Sequence, residues 1–232
     1  MGRRHEPPPQ LRAGAFAGRD VRDLVTRRQL SSAAYERLCR GAYRAAGPDG
    51  DPTTYADRVS GFLAVLPHRA VLVGATAAWA GGAWTPWPDD PVEVNVVPPG
   101  SVRRRDGLVR TARTYGEDDV ERTQWGTAST PARTALYLAR HSPAGTAVPV
   151  LDAVLARTGL RVDDLLAHLD SSPPGRGTRR ARETLRLTDP RAESPRESLL
   201  RLLVRSAGLP DPVVQHVVRL PHGLARLDLA WP

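Results

Sequence analysis

The sequence predicts an α+β protein, and three observations carry that prediction. An amphipathic stretch over residues 16–45 turns extended after Gly41. Alternating apolar residues mark a strand over 91–97, with a partner at 107–111. A capped apolar helix from Ser194 is followed by two short strand patterns that run to Pro232.

The elements follow in order. Residues 1–15 are rich in Pro and Arg and read as a disordered lead-in. Val21, Leu24 and Val25 share one helical face. Ser31 or Ser32 can cap a second helix through Ala34, Tyr35, Leu38 and Cys39, which Gly41 ends. Helix, turn, helix and an extended wing over residues 16–50 is the outline of a winged helix-turn-helix. Its second helix carries Arg37 and Arg40, with Arg44 just beyond, and these are the candidate DNA-binding residues.

A mixed region spans 51–170. It holds a helix over 52–67, a short buried strand at 70–73 and a small-residue helix over 75–80. Trp79, Trp84 and Trp87 follow closely and read as packing under a Pro-rich loop. Arg103, Arg104 and Arg105 form a basic loop between the two strand patterns and join the candidate DNA contacts. Thr130-Pro131 starts a helix, and 149–156 and 162–169 give two more. Residues 171–192 supply a linker and a basic helix. The segment 193–232 closes the chain with Ser194-Pro195-Arg196-Glu197, a capping pattern, and two strands, the second of which carries Asp228.

Composition narrows the function classes. The 232 residues carry a formal net charge of +8 and a pI of about 10.8, which favours polyanionic partners. Every basic residue is Arg, as a GC-rich genome produces, so arginine abundance alone does not single out DNA. The single cysteine, Cys39, excludes an internal disulfide and argues against structural zinc. Residues 1–10 do not read as a secretory signal and no apolar run is long enough for a membrane span, so a cytoplasmic location is expected. Phosphate-loop and nucleophile-elbow patterns are missing, and the six His show no metal spacing.

Glu197 on a helix and Asp228 on a following strand are the candidate catalytic pair. Alone, Glu197 is explained by its cap and Asp228 by an exposed strand face. Together they resemble the opening of a PD-(D/E)xK endonuclease core. Several segments in order extend the resemblance: Leu38-Cys39-Arg40-Gly41-Ala42-Tyr43-Arg44, Gly74-Ala75-Thr76-Ala77-Ala78, the stretch from Ser129 to Leu136, Gly208-Leu209-Pro210, and Asp228-Leu229-Ala230-Trp231-Pro232. The chain resembles actinobacterial proteins that join an AbiEi-type (type IV toxin–antitoxin) antitoxin-like region to a domain similar to the very-short-patch repair endonuclease. That resemblance implies double-stranded DNA as a partner, repression of an operon, and a cognate toxin. It also implies a Mg²⁺-dependent nuclease site at Glu197 and Asp228. The strand that completes such a site is expected beyond Pro232, so the expectation is an incomplete restriction-endonuclease-like helix plus hairpin that does not cleave DNA and takes no cofactor. Three functions stay open: a DNA-binding regulator or antitoxin, an endonuclease completed by a further segment or partner, and a protein-binding antitoxin module.

Overall fold

The computed structural model of the chain describes residues 6–47, 51–98, 104–173 and 175–232. It is an α+β protein made of two compact units. The N-terminal unit takes Met1–Leu72 with Pro86–Ala128; the C-terminal unit takes Val73–Thr85 with Ser129–Pro232.

The N-terminal unit begins with a small antiparallel sheet. β1 (Phe16–Ala17), β2 (Tyr35–Cys39) and β3 (Ala42–Ala45) lie in the order β1-β3-β2. Leu11, Val21, Val25, Leu30 and Tyr35 form one buried cluster beside it, so part of the expected lead-in is folded against the unit. α1 (Arg27–Leu30) is one turn long, held by a capping box between Thr26 and Gln29.

The expected recognition helix is therefore a strand. Ser31 closes α1 instead of opening a second helix, and residues 35–39 pair with 42–45 across a turn where Gly41 sits at φ +89°. The apolar spacing Tyr35, Leu38, Cys39 imitates a helical face. Tertiary packing decides otherwise: α2 (Tyr55–Val65) lies against β2, and Gly61 lets Leu38 approach so closely that a Cβ there would sit 2.7 Å from it. The first expected helix is likewise only a turn. Val21 and Val25 are buried, while Leu24 is half exposed.

A second sheet of five strands completes this unit, in the order β6-β5-β4-β8-β7. Its strands are β4 (Val71–Leu72), β5 (Val92–Asn95), β6 (Leu108–Thr111), β7 (Val120–Thr123) and β8 (Gly126–Ser129). The expected partners β5 and β6 do pair, in parallel. The buried Asn95 locks them at one end: its amide donates to the Arg113 carbonyl, and its Oδ1 accepts from Thr111 Oγ1 and Arg113 N–H. β7 and β8 escape a sequence reading because four residues each, most of them polar or small, give no clear alternation.

The C-terminal unit is helical, with one hairpin. It contains α3 (Gly74–Ala80), α4 (Pro131–His141), α5 (Ala144–Thr158), α6 (Val162–Ser171), α7 (Thr178–Leu185) and α8 (Pro195–Ser206). α5 is the central helix, with Val148, Val150, Leu151, Val154 and Leu155 buried. It starts five residues before Pro149, the expected first residue, so that Pro149 lies inside the helix. The final hairpin joins β9 (Val213–Leu220) to β10 (Gly223–Ala230). Among the described residues no helix is long and apolar enough to cross a membrane.

Candidate functional site

Two clusters of candidate side chains emerge, one in each unit. In the N-terminal unit Arg37 and Arg40 are exposed on the β2–β3 hairpin. Arg105 donates from Nη1 to the carbonyl of Arg40, which draws Arg104 and Arg105 to the hairpin turn. The fold thus brings the Arg104–Arg105 segment to the hairpin that carries Arg37 and Arg40, 65 residues away in the sequence. Arg103 lies outside the described residues. Arg44 has a different environment: its Nη atoms lie 2.6 Å from Glu36 and 2.8 Å from Asp57, and its side chain is 16% exposed. Its guanidinium is committed within the fold, and the Asp57 carboxyl sits below its ordinary value: burial raises it, and the hydrogen bonds from Thr54 and the Arg44 charge more than offset that. Cys39 sits nearby. Burial raises its thiol, although Arg105 and Arg37 pull the other way, so it is not an activated nucleophile.

In the C-terminal unit, Glu197 is built into the start of α8. Ser194 accepts from the Glu197 N–H, and Glu197 Oε2 accepts from the Glu193 N–H at 3.0 Å. The Gln215 amide donates to the same oxygen at 2.9 Å. Burial raises the Glu197 carboxyl, but these hydrogen bonds and the charge of Arg226 bring it below its ordinary value, so it is ionised at neutral pH. Arg226 itself pairs with Glu193 at 2.7 Å.

Asp228 is exposed on β10. The ladder pairs Val214 with Leu229 and His216 with Leu227, which sets Asp228 directly across from Gln215. The pleat also puts Asp228 on the strand face that carries Arg226. Glu197 and Asp228 therefore flank Gln215, whose backbone sits at φ +56°, a conformation seldom adopted by a residue with a side chain. No group of three or more His, Cys, Asp or Glu able to hold a metal occurs among the described residues. Two carboxylates, one of them already holding two donors, fall short of the oxygen set that Mg²⁺ requires.

A buried ion pair lies behind this face. Arg201 Nη2 reaches Asp152 Oδ2 at 2.7 Å, with both side chains under 10% exposed. The Ser198 hydroxyl donates to the same oxygen, and the Asp189 N–H donates to Oδ1. Burial pushes the Asp152 carboxyl up to about 6, against the opposing pull of Ser198 and Arg201. The pair ties α5 to α8.

Beside it opens a cavity of about 720 Å³, with Trp84, Pro149, Asp152, Arg191, Gln215 and Arg226 in its wall. Of these, only Trp84 drew attention from the sequence, and as packing. Asp152 stood out in principle, as a carboxylate within the apolar run 147–155, as did Gln215 within a strand of valines. Arg191 and Arg226 gave no signal among so many arginines.

No family model matches the chain. Over 208 residues it is 31% identical to "Uncharacterized protein Rv2248" of Mycobacterium tuberculosis strain H37Rv, covering 88% of this chain and 72% of the relative. The same figures hold for "Uncharacterized protein MT2308" of M. tuberculosis strain CDC 1551. A crystal structure of the RV2827C protein from M. tuberculosis aligns with a TM-score of 0.49 at 19% identity, over 91% of this chain and 85% of that one. Identity and coverage together place this chain in one family with the mycobacterial Rv2248 and MT2308 proteins.

Proposed function

We propose that the protein binds double-stranded DNA through the basic patch on the β2–β3 hairpin, as a regulator or antitoxin-like protein of the AbiEi type. The carrying observation is the hydrogen bond from Arg105 to the Arg40 carbonyl, which ties the Arg104–Arg105 segment to the hairpin that carries Arg37 and Arg40. Guanidinium groups fit phosphate oxygens in bidentate geometry, and the net charge of +8 favours a polyanion. With a strand in place of a recognition helix, the hairpin itself is the contacting element. Contacts to the DNA backbone position such a protein without reading bases. In this reading an operon is the target, and a toxin is the further partner.

The test is fluorescence anisotropy with a labelled duplex across a salt series. About three to five phosphate contacts give a slope of log affinity on log salt of about −3 to −5. Arg37→Ala with Arg40→Ala lowers the magnitude of that slope by about 2. Absence of binding at low salt, or an unchanged slope, defeats the proposal.

A second reading places phosphodiester chemistry in the C-terminal unit, as the resemblance to very-short-patch repair endonucleases implies. Glu197 and Asp228 flanking Gln215 favour it. In that reading the nuclease-like face descends from an endonuclease, and further ligands complete it from another segment or chain. Plasmid nicking with Mg²⁺, abolished in Asp228→Ala, distinguishes an active site from a vestigial one.

A further inference from the structure

We propose that two copies of this chain associate edge to edge through β10, so that their hairpins join into one four-stranded antiparallel sheet. The C-terminal unit has the surface such a partner needs. Among the described residues, ten of the fourteen exposed large apolar side chains lie between Leu199 and Trp231, on α8, on the hairpin or beside them. At roughly 80–100 Å² each they present on the order of 800–1,000 Å² of surface, about what one partner contributes to a stable complex. The hairpin also has open edges. β9 and β10 are eight residues long and pair only with each other among the described residues.

The two edges differ. On β9, Gln215 sits at φ +56°, outside the extended region, and a kink of this kind blunts an edge. On β10 no residue after Gly223 has a positive φ. Charges on an edge usually deter a further strand. On β10 they are of opposite sign and spaced to match a second copy of themselves.

Residues 224–230 read Leu-Ala-Arg-Leu-Asp-Leu-Ala. In an antiparallel pairing centred on Leu227, Arg226 stands opposite Asp228 of the second copy, and Asp228 opposite Arg226. Leu224 meets Ala230 and Ala225 meets Leu229, so a large side chain faces a small one each time. The two Leu227 side chains meet at the two-fold axis. Centring the pairing on Arg226 or on Asp228 instead sets like charges directly opposite, which is unfavourable. The ladder within each hairpin carries the pattern outward. Val218, Ala225, and Leu229 and Val214 of the second copy form one row across the four strands. The charged pair lies in a row on the other face. Asp228 is exposed and has no ion pair among the described residues. Arg226 holds Glu193 through Nη2, which leaves Nε and Nη1 as donors for a second carboxylate.

The experiment uses the 232-residue chain, with its mass in solution measured by light scattering. A dimer is expected at about 50 µM, the concentration at which an interface of this size is populated. Arg226→Asp and Asp228→Arg, each checked for fold by circular dichroism, set like charges opposite and are expected to weaken association about tenfold or more. Mixed together, the two variants restore opposite charges at both positions and are expected to form a heterodimer, which a loss of fold cannot produce. Hydrogen exchange on the wild-type chain needs no substitution: β10 protection should rise with protein concentration while β2–β3 protection does not. A wild-type monomer overturns the proposal and leaves this edge to a strand from another segment or protein. A dimer that neither variant weakens, or folded variants that stay apart when mixed, overturns it as well. If a variant fails to fold, the exchange series decides, and β10 protection independent of concentration defeats the proposal.

Discussion

The two long hairpins of this chain have similar local patterns and opposite fates. β2–β3 has a helix laid along it: Leu38 fits against Gly61 of α2, and Tyr35 is buried. Its inward cation, Arg44, is neutralised by Glu36 and Asp57. β9–β10 leaves Val217, Leu220, Leu224 and Leu227 exposed, and Leu199, Leu200 and Leu203 of α8 are exposed as well. The second hairpin buries only Val214 and Ala230 at its base, and polar contacts add to them: Gln215 to Glu197, Arg226 to Glu193, and the Trp231 indole N–H donating to the Pro210 carbonyl. A hairpin with a helix packed against it is braced by that helix. One anchored only at its base is only as firm as the helix it is tied to, and here that helix is fixed by Asp152 and Arg201.

The largest effect should come from breaking that buried pair. Asp152→Ala strips Arg201, the Ser198 hydroxyl and the Asp189 N–H of their shared buried acceptor and is expected to destabilise the C-terminal unit by about 3–5 kcal/mol. Denaturant unfolding measures the loss. Hydrogen exchange tests the comparison: β9–β10 amides should lose protection while β2–β3 amides keep theirs. Equal loss in both hairpins would show that the two anchors are not separate.

The same carboxyl gives a pH dependence of known sign. Its folded value is about 6, above the ordinary 3.8 of an unfolded Asp. Between those values the folded chain holds a proton that the unfolded chain has released, so this group's contribution to stability falls as pH rises through the window. Its full size is about 3 kcal/mol. The difference in stability between wild type and Asp152→Asn, followed from about pH 4 to 7, isolates it. A difference that stays flat would place the Asp152 carboxyl at its ordinary value.

A smaller effect is expected at the first hairpin. Gly61→Ala puts a methyl group 2.7 Å from Leu38 Cβ, which the packed interface must move to accept. Overpacking of this kind costs about 1–3 kcal/mol, against a gain of up to about 1 kcal/mol from replacing a helical glycine. The net loss should fall on β2–β3 protection and leave β9–β10 unchanged. It should also weaken duplex binding, because Arg37 and Arg40 ride on that hairpin.

The sequence by itself determined those elements whose signals are local. Thr130-Pro131 starts α4, Ser194-Pro195 starts α8 with the Ser194 cap in place, and the turn before Gly223 folds the last two strands onto each other. Caps and turn residues act within a few positions of themselves, so they are legible without the rest of the chain. The α+β class was legible for the same reason. Tertiary structure alone decided residues 35–39, where the apolar spacing serves a helix or a strand equally and pairing with Ala42–Ala45 selects the strand. It also decided which arginines are available. Arg44 and Arg201 are committed to carboxylates, while Arg37 and Arg40 stay exposed, and nothing within a few residues of each distinguishes them. The candidate site followed the same rule. Glu197 and Asp228 could be named from their local patterns, whereas Gln215, Asp152 and Trp84 matter through partners 18 to 49 residues away or through a shared cavity. A contact between distant segments depends on how the chain returns on itself, and short-range residue patterns do not encode that.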